Sequence, residues 1–486
     1  MSQEGASGVA TVAVGTSRES GRHLAGIGLV TLLSGAFLSV MSGIIVSIAI
    51  PSIQAEFGAT PTVSSIIAYY GLAYGLALVT GGRLGDLFGR RRVFVAGMAG
   101  FTAASLACAL ASSLTMIILA RVAAGLSAAL LFPQVLSIIR VSSGDDAARA
   151  RNLSAFGITL GLSGTLAQLL GGLLITANIH GLAWRWVFIL CLPIGLVACL
   201  LGPRVIPESR APGRPQLDFA GVALCAVAFA LVLFPLVEGR ALGWPAWLLA
   251  LPLLAIPAFW LFARHQLARA RRGVEPLIDL ALFSRGPVAS GVTVAFFLHS
   301  TIVSMPFIQA MFLQVGLGYP ALGAALIIAP AGLAFIGASM ACDRLAARHG
   351  ARAVMAAGAV FAITGYLACI AIARTAPPDA AWRLTFGLAV VSGGQGLFMP
   401  LMLNAVLAHV PPEKAGSASG VISTAQQVGG AFGVALAGLL YFSALLRHGD
   451  EPGGPADAFS HATAWPAVAM TVCLLLLPAL FPRRCP

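Results

Sequence analysis

The chain has 486 residues, of which 58% are hydrophobic and only 9% charged, with a mean hydropathy of +0.92. A soluble domain carries about 25% charged residues, so a soluble enzyme or binding module is excluded and a polytopic membrane protein is expected. The net charge of +12 does not point to nucleic acid, because the arginines fall in short segments between apolar runs, where the positive-inside rule accounts for them.

Residues 1–23 are polar and rich in Gly and Ser, without a cleavage signature, and read as a disordered cytoplasmic tail. Apolar runs then recur at the ~20 residues that a bilayer-spanning helix requires. Read against charge and Pro/Gly breaks, they give about fourteen helices. The expected limits are 24–50, 62–81, 93–111, 114–139, 153–176, 184–203, 217–236, 245–263, 286–315, 319–341, 353–373, 382–410, 417–446 and 462–481. Residues 482–486 form a second short tail. With the N-terminus inside, alternate loops hold 23 of the 29 basic residues against five on the outer side, and Arg121 falls within a helix. That asymmetry places both termini in the cytoplasm. Cys108, Cys191, Cys199, Cys225, Cys369 and Cys473 lie within apolar runs and no CxxC pair occurs. They read as small packing residues, with neither a disulfide framework nor a zinc site. Lys414 is the only lysine, and the abundance of Arg, Ala and Gly suits a GC-rich bacterial genome, hence a bacterial inner membrane.

An internal repeat underlies the fourteen spans. "GRLGDLFGRRRV" (82–93) aligns with "DRLAARHGARAV" (343–354), matching at Arg83/Arg344, Leu84/Leu345, Gly89/Gly350, Arg91/Arg352 and Val93/Val354. "LFPQVLSII" (131–139) resembles "FMPLMLNAV" (398–406), and Gly171-Gly172 resembles Gly429-Gly430, at similar offsets. Two six-helix halves separated by a two-helix insertion account for the spacing. The expected domains are an N-terminal half at 24–203, an insertion with a basic linker at 204–285, and a C-terminal half at 286–481. Two parallel six-helix halves related by a pseudo-two-fold axis are a transporter architecture, with substrate handled near mid-membrane at their interface.

The stretch "GGRLGDLFGRRRVF" (81–94) gathers four arginines and one aspartate between apolar flanks. Topology explains the arginines but not the tight Gly-x-Leu-Gly-Asp-x-x-Gly-Arg-Arg pattern. With Gly82, Asp86, Gly89, Arg90 and Arg91, it resembles the signature loop of the major facilitator superfamily. "ARVAAGLSAA" (120–129) is similar to the family's motif around a membrane-embedded arginine, matching at Arg121 and Gly125, with Ala124 in place of the usual glutamine. Glycines 157, 161, 164, 171 and 172 form nearly one stripe on helix five and resemble the antiporter motif, although Gln168 stands where its proline is usual. The stripe permits close helix contact, as do Gly429, Gly430 and Gly433 in helix thirteen. "WRWVFILCLPIG" (184–195), "EPLIDLALF" (275–283) and "SGVISTAQQVGGAFG" (419–433) resemble the fourteen-helix drug:proton antiporter branch. The resemblance implies an all-α major-facilitator fold in a 6+2+6 arrangement. A carboxylate at Asp86 can face the positive N-terminal end of a helix in the other half. Helix thirteen, opening with "AGSASG" (415–420), is the expected partner in a one-sided latch, because the repeat has Ala347 in place of Asp86. The loop's arginines are expected to anchor at the lipid headgroups.

No enzyme motif competes. Lys414 follows Glu413, so no P-loop exists, and neither HExxH nor GxSxG occurs. Transport then runs on a gradient or downhill, without a cofactor or metal. Intramembrane polar groups are the default functional candidates. Arg121 either snorkels to the outer headgroups or faces the central cavity in a coupling role. His299 is either a packing residue or a proton or substrate site. Gln168, Gln309, Gln395, Asn404, Gln426 and Gln427 either join helices or touch substrate. In the drug:proton branch an aspartate stands nine residues before an Ala-Leu-Pro on helix one; here Ala49-Ile50-Pro51 matches but the position is Ser42. All 17 acids fall in tails, loops or helix ends, so neutral, weakly basic or anionic substrates are favoured over multivalent cations. The expected protein is a monomeric exporter of small amphipathic compounds, driven by protons. An uncoupled facilitator or dedicated metabolite exporter is the alternative, and a non-transporting sensor or scaffold a remote one.

Overall fold

The structure, a computed structural model, describes residues 24–481 apart from 25, 59–60, 211–216, 240–241, 275, 285, 411–414 and 449–452. The tails expected at 1–23 and 482–486 lie outside the described residues. Within them every regular element is helical, and fourteen helices are long and apolar enough to cross a membrane. A bilayer core offers no water to an open backbone group, so apolar runs of this length must satisfy their N–H and C=O groups internally, as helices do.

The spans are α1 Gly26–Phe57, α2 Ser65–Phe88, α3 Arg90–Ala109, α4 Leu114–Ser142, α5 Asp146–Ala177, α6 Cys191–Val205, α7 Phe219–Glu238, α8 Ala246–Arg271, α9 Gly286–Ala310, α10 Ala321–His349, α11 Ala351–Thr375, α12 Leu384–Leu407, α13 Ala415–His448 and α14 Gly454–Leu480. A short turn, Trp186–Ile189, leads into α6, and a π-helical turn, Met311–Gly316, extends α9. Several helices outrun their expected limits. α1 continues through Pro51, α5 starts seven residues early, α8 runs to Arg271 and α14 begins at Gly454. Hydropathy marks where a helix meets water, whereas caps and hydrogen bonds decide where it stops. At α5 the cap is Asp145, whose carboxylate accepts the N–H of Ala148 at 2.6 Å.

The 82–93 stretch is not a loop. α2 runs through Asp86 to Phe88, Gly89 alone makes the turn with φ +104°, and α3 starts at Arg90. Gly350 repeats the device between α10 and α11 with φ +83°. Both backbones occupy a region that side chains with a Cβ rarely adopt, so the Gly89/Gly350 match has a physical cause.

Pairings within the halves repeat as well. α4 packs against α2 and α3, α1 against α5, and α3 against α6; correspondingly α12 packs against α10 and α11, α9 against α13, and α11 against α14. The halves meet along α2–α13, α5–α10 and α1–α9. On the side away from Asp86 the seam is closed by polar contacts: Gln314 Nε2 donates to Ile48 O at 3.1 Å, and Leu322 N to Thr176 Oγ1 at 2.9 Å. On the Asp86 side, among the described residues, α4 and α12 share no packed seam, and Leu403 and Asn404 on α12 are exposed. The molecule is therefore open toward Asp86.

α7 and α8 form a hairpin, and α7 lies across the α2–α13 seam, with Leu233 and Val237 packed against Ala68 and Leu72 of α2 and Val428, Ala431 and Ala435 of α13. At its foot Asp218 caps α7. Its side chain is 1% exposed and accepts from Gly221 N (2.9 Å) and Gln266 Nε2 (2.9 Å), with His265 Nε2 at 2.8 Å and Arg269 Nε at 3.6 Å. Burial works to raise the carboxyl's pKa, but these hydrogen bonds and the Arg269 charge outweigh it and hold the group below its ordinary 3.8. A depressed carboxylate pKa stabilises the fold above the unfolded value and loses that contribution as pH falls through the folded one. Wild-type protein in detergent should therefore lose thermal stability steeply below about pH 4. Asp218→Asn should be less stable at neutral pH and decline more shallowly; parallel Tm-against-pH curves would contradict this.

Candidate functional site

Arg121 stands seven residues into α4 and is fully buried. Its guanidinium points at α1 and α2. Nη1 donates to Ser42 Oγ at 2.7 Å, Nη2 to Ser42 O at 3.2 Å and Nε to Ile66 O at 3.2 Å, while Cζ lies 3.9 Å from the Tyr70 ring centroid. Arg121 thus neither snorkels to headgroups nor opens onto the space between the halves. Its 0% exposure corrects the expectation of a cavity-facing side chain in this open state. Its short reach to α1 is the cause: the serine hydroxyl and carbonyl capture the fork inside the N-terminal half. The sequence singled out Ser42 and Arg121 separately, and the fold joins them into one unit. Tyr70, which reading the sequence missed, completes it and is itself tied to α1 through its hydroxyl, donated to Ser39 O at 2.7 Å.

Ser42, the Ile66 carbonyl and the Tyr70 ring are all neutral partners. An interior charge is normally paired, since removing it from water costs several kcal/mol even after relaxation. Three hydrogen bonds and a cation–π contact lower that cost without cancelling the charge.

The remaining candidates separate by environment. Gln168 and Gln309 are buried, and among the described residues both polar atoms of Gln168 and Oε1 of Gln309 have no hydrogen-bond partner. His299 is half-buried beside Gly430, and its Nδ1 likewise has no partner. Such groups cost roughly 1–3 kcal/mol each when left unsatisfied. Gln395 is instead committed to the C-terminal half, with Nε2 donating to Thr301 Oγ1 (3.0 Å) and Tyr366 OH (2.9 Å). Gln427 is half-buried on the seam against Gly71 and Gly75 of α2, where Thr424 Oγ1 donates to Gly75 O at 3.1 Å. Gln426 is also half-buried, and Asn404 is exposed at the open side.

The expected latch residues do a different job in this state. The Asp86 carboxylate accepts Arg90 Nη2 at 2.8 Å and Nε at 3.1 Å, one turn along and across Gly89. The arginines of the stretch are also engaged within the protein. Arg91 donates from Nη1 to Pro203 O and Ile206 O and from its backbone N to Glu208 at 3.1 Å, and Arg90 N donates to Ser209 O. Arg92 Nε lies 3.7 Å from the same Glu208. The stretch staples the α2–α3 turn to the segment after α6 because Glu208 supplies an acid within reach. Residues 411–414, which precede α13, and the side chains of 415–417, part of the expected latch partner, lie outside the described residues, while Gly420 packs against Val79, nearly two turns from Asp86. Gly82 faces only Pro133.

The glycine stripe splits into faces. Gly164 and Gly171 meet Ile44, Ile45 and Ile48 of α1, whereas Gly161 and Gly172 meet Ile336, Ala321 and Ala325 of α10. Gly157 has open space beside it, so it is not a packing glycine in this state. Gly125 abuts Tyr70 and Tyr74 of α2, and Gly429, Gly430 and Gly433 abut Phe296, His299, Val303 and Ser300 of α9.

Comparison with known proteins fits this architecture. The family model described as Major Facilitator Superfamily matches residues 32–434. The chain is 35% identical over 426 residues to the probable actinorhodin transporter of Streptomyces coelicolor, covering 87% of this chain and 73% of that protein. It is 32% identical over 472 residues to a puromycin resistance protein of Streptomyces alboniger, covering 93% and 90%. Among solved structures, the peptide transporter POT in complex with sulfate superimposes with a TM-score of 0.67 at 18% identity, covering 94% of this chain and 96% of that one. Two internally matching six-helix bundles, the Asp86 signature and these likenesses agree: the chain is a multi-pass membrane transporter belonging to the major facilitator superfamily.

Proposed function

We propose that this transporter exports small amphipathic compounds across a bacterial plasma membrane by alternating access, with the Asp86 side and both termini cytoplasmic. The likeness to the actinorhodin transporter and the puromycin resistance protein is the observation that carries the reading, and the opening toward Asp86, a state that every alternating-access carrier visits, is compatible with it. That opening exposes the interface between the halves to the compartment that an exporter must load from. The names of the two relatives, actinorhodin transport and puromycin resistance, support small-molecule export. The unpartnered groups of Gln168, Gln309 and His299 supply hydrogen bonds in an apolar setting, the pattern that fixes the orientation of a small ligand. With no acid at position 42, neutral or anionic substrates fit better than multivalent cations.

Reconstituted protein tests the proposal directly, through counterflow of puromycin and actinorhodin in liposomes. Absence of flux for either, in protein whose folding is verified, would overturn the export reading for this class. Proton coupling through His299 is the finer part, because it is the one imidazole near the middle of a described span. His299→Gln should retain counterflow but lose dependence on an imposed pH gradient. Equal gradient dependence in both proteins would reject His299. A second reading, the uncoupled facilitator, is favoured by Ser42 standing where the branch usually has its acid, and lack of gradient dependence in wild type would establish it.

A further inference from the structure

The α7–α8 hairpin and the segment after it are not used by the transport scheme above, yet the segment is held at three points. Arg83, a buried side chain of α2, donates from Nη2 to Pro276 O at 2.7 Å. Two residues on, Ile278 N donates to Gln266 Oε1 at 3.3 Å, and the amide of the same Gln266 holds Asp218 at 2.9 Å. Leu277, 5% exposed, is wedged among Cys225 of α7, Phe262 of α8 and Val79 of α2, the residue that meets Gly420 of α13. The chain then turns through a 3₁₀ helix, Leu280–Ser284, started by Asp279, whose Oδ1 accepts Ala281 N at 3.0 Å, and this turn precedes α9, the first helix of the other half.

We propose that residues 276–284 form a strap between the halves and that Arg83 is its positioning residue on α2, setting how far the Asp86 side can open. The inference rests on the alternating opening proposed above, not on the identity of any substrate. Pro276 and Ser284 are eight residues apart. The five residues of the 3₁₀ turn advance ~2.0 Å each against ~3.4 Å when extended, so unwinding them frees only about 7 Å. A strap with that little slack is a stop for a rocking motion.

The test uses the full chain with nitroxide labels at Arg140→Cys, at the Asp86-side end of α4, and Ala408→Cys, just beyond α12. Cys199 and Cys485 are replaced by serine. Distances between the labels are measured by pulsed electron spin resonance without substrate, so the outcome is independent of the export reading. Arg83→Ala should lengthen and broaden the distance distribution, and Arg83→Lys, which can still donate to Pro276 O, should restore much of it. Inserting Gly-Ser-Gly-Ser after Asp279 lengthens the strap without touching Arg83 and should reproduce the widening, which covers the case in which Arg83→Ala misfolds. Where flux is measurable, turnover should fall while the half-saturating substrate concentration stays at the wild-type value. Unchanged distances in the insertion variant would overturn the strap, as would widening in Arg83→Ala that the insertion does not reproduce.

Discussion

Arg121→Met should lower flux at least ~100-fold, about 2.7 kcal/mol at 1.36 kcal/mol per decade, while leaving thermal stability equal or higher. Arg121 is buried at 0% exposure against Ser42, Ile66 O and the Tyr70 ring. Breaking a paired buried charge is destabilising, but exchanging a poorly compensated one for an apolar side chain of similar length is often neutral or stabilising. A residue kept at a cost to the fold is kept for the cycle. Arg121→Lys should recover little, because one ammonium cannot reproduce a fork that reaches a hydroxyl and two carbonyls on two helices. Ser42→Asp would place a carboxylate where Nη1 now finds the hydroxyl at 2.7 Å, and it should raise Tm by pairing the charge. Flux in liposomes and Tm in detergent, measured on the same preparations, check the argument. Near-normal flux in Arg121→Met would refute it, and so would a collapse of Tm that explains the loss of flux.

Gly172→Val should abolish transport, whereas Gly157→Val, on the same helix and in the same apparent stripe, should be close to silent. A Cβ on Gly172 would lie 2.5 Å from Ala325 Cβ and 2.8 Å from Ala321 O, on the α5–α10 seam. One of those neighbours is backbone, so the helices themselves must part. Overpacking of this kind costs typically 1–3 kcal/mol in a packed core. Here the wedge enters the closed side, beside the Thr176–Leu322 hydrogen bond, so it should favour states in which that side is separated. Gly157 has no atom within 4 Å of the position a Cβ would take. Accessibility of the closed side to a membrane-impermeant thiol reagent, read at Ile48→Cys, a position buried on that side, distinguishes the two variants. Equal labelling in both would show that the seam does not control access.

The sequence alone carried the parts of this protein that are written locally. Span number follows from runs of apolar residues, whereas the break expected at 82–92 shrinks in the structure to Gly89 alone, where a backbone at φ +104° excludes almost every other residue. The family signature is legible for a similar reason, since Gly82 to Arg91 are adjacent in the chain. Partnerships were not. Arg91 finds Glu208 across 117 residues and Arg121 finds Ser42 across 79, and nothing in a local pattern says which acid or hydroxyl will stand opposite. The sequence therefore does not show that Arg90 and Arg91 find partners within the protein, or that Arg121 is held by Ser42 inside the N-terminal half. The glycines of α5 show the same divide: a helical period of 3.6 puts them nearly on one stripe, but only the packing of α1 and α10 around that stripe decides that Gly172 is filled against a neighbour and Gly157 is not. Local chemistry determined the helices and their turns, and long-range packing determined which side chains share charge, which seam is closed and where the molecule opens.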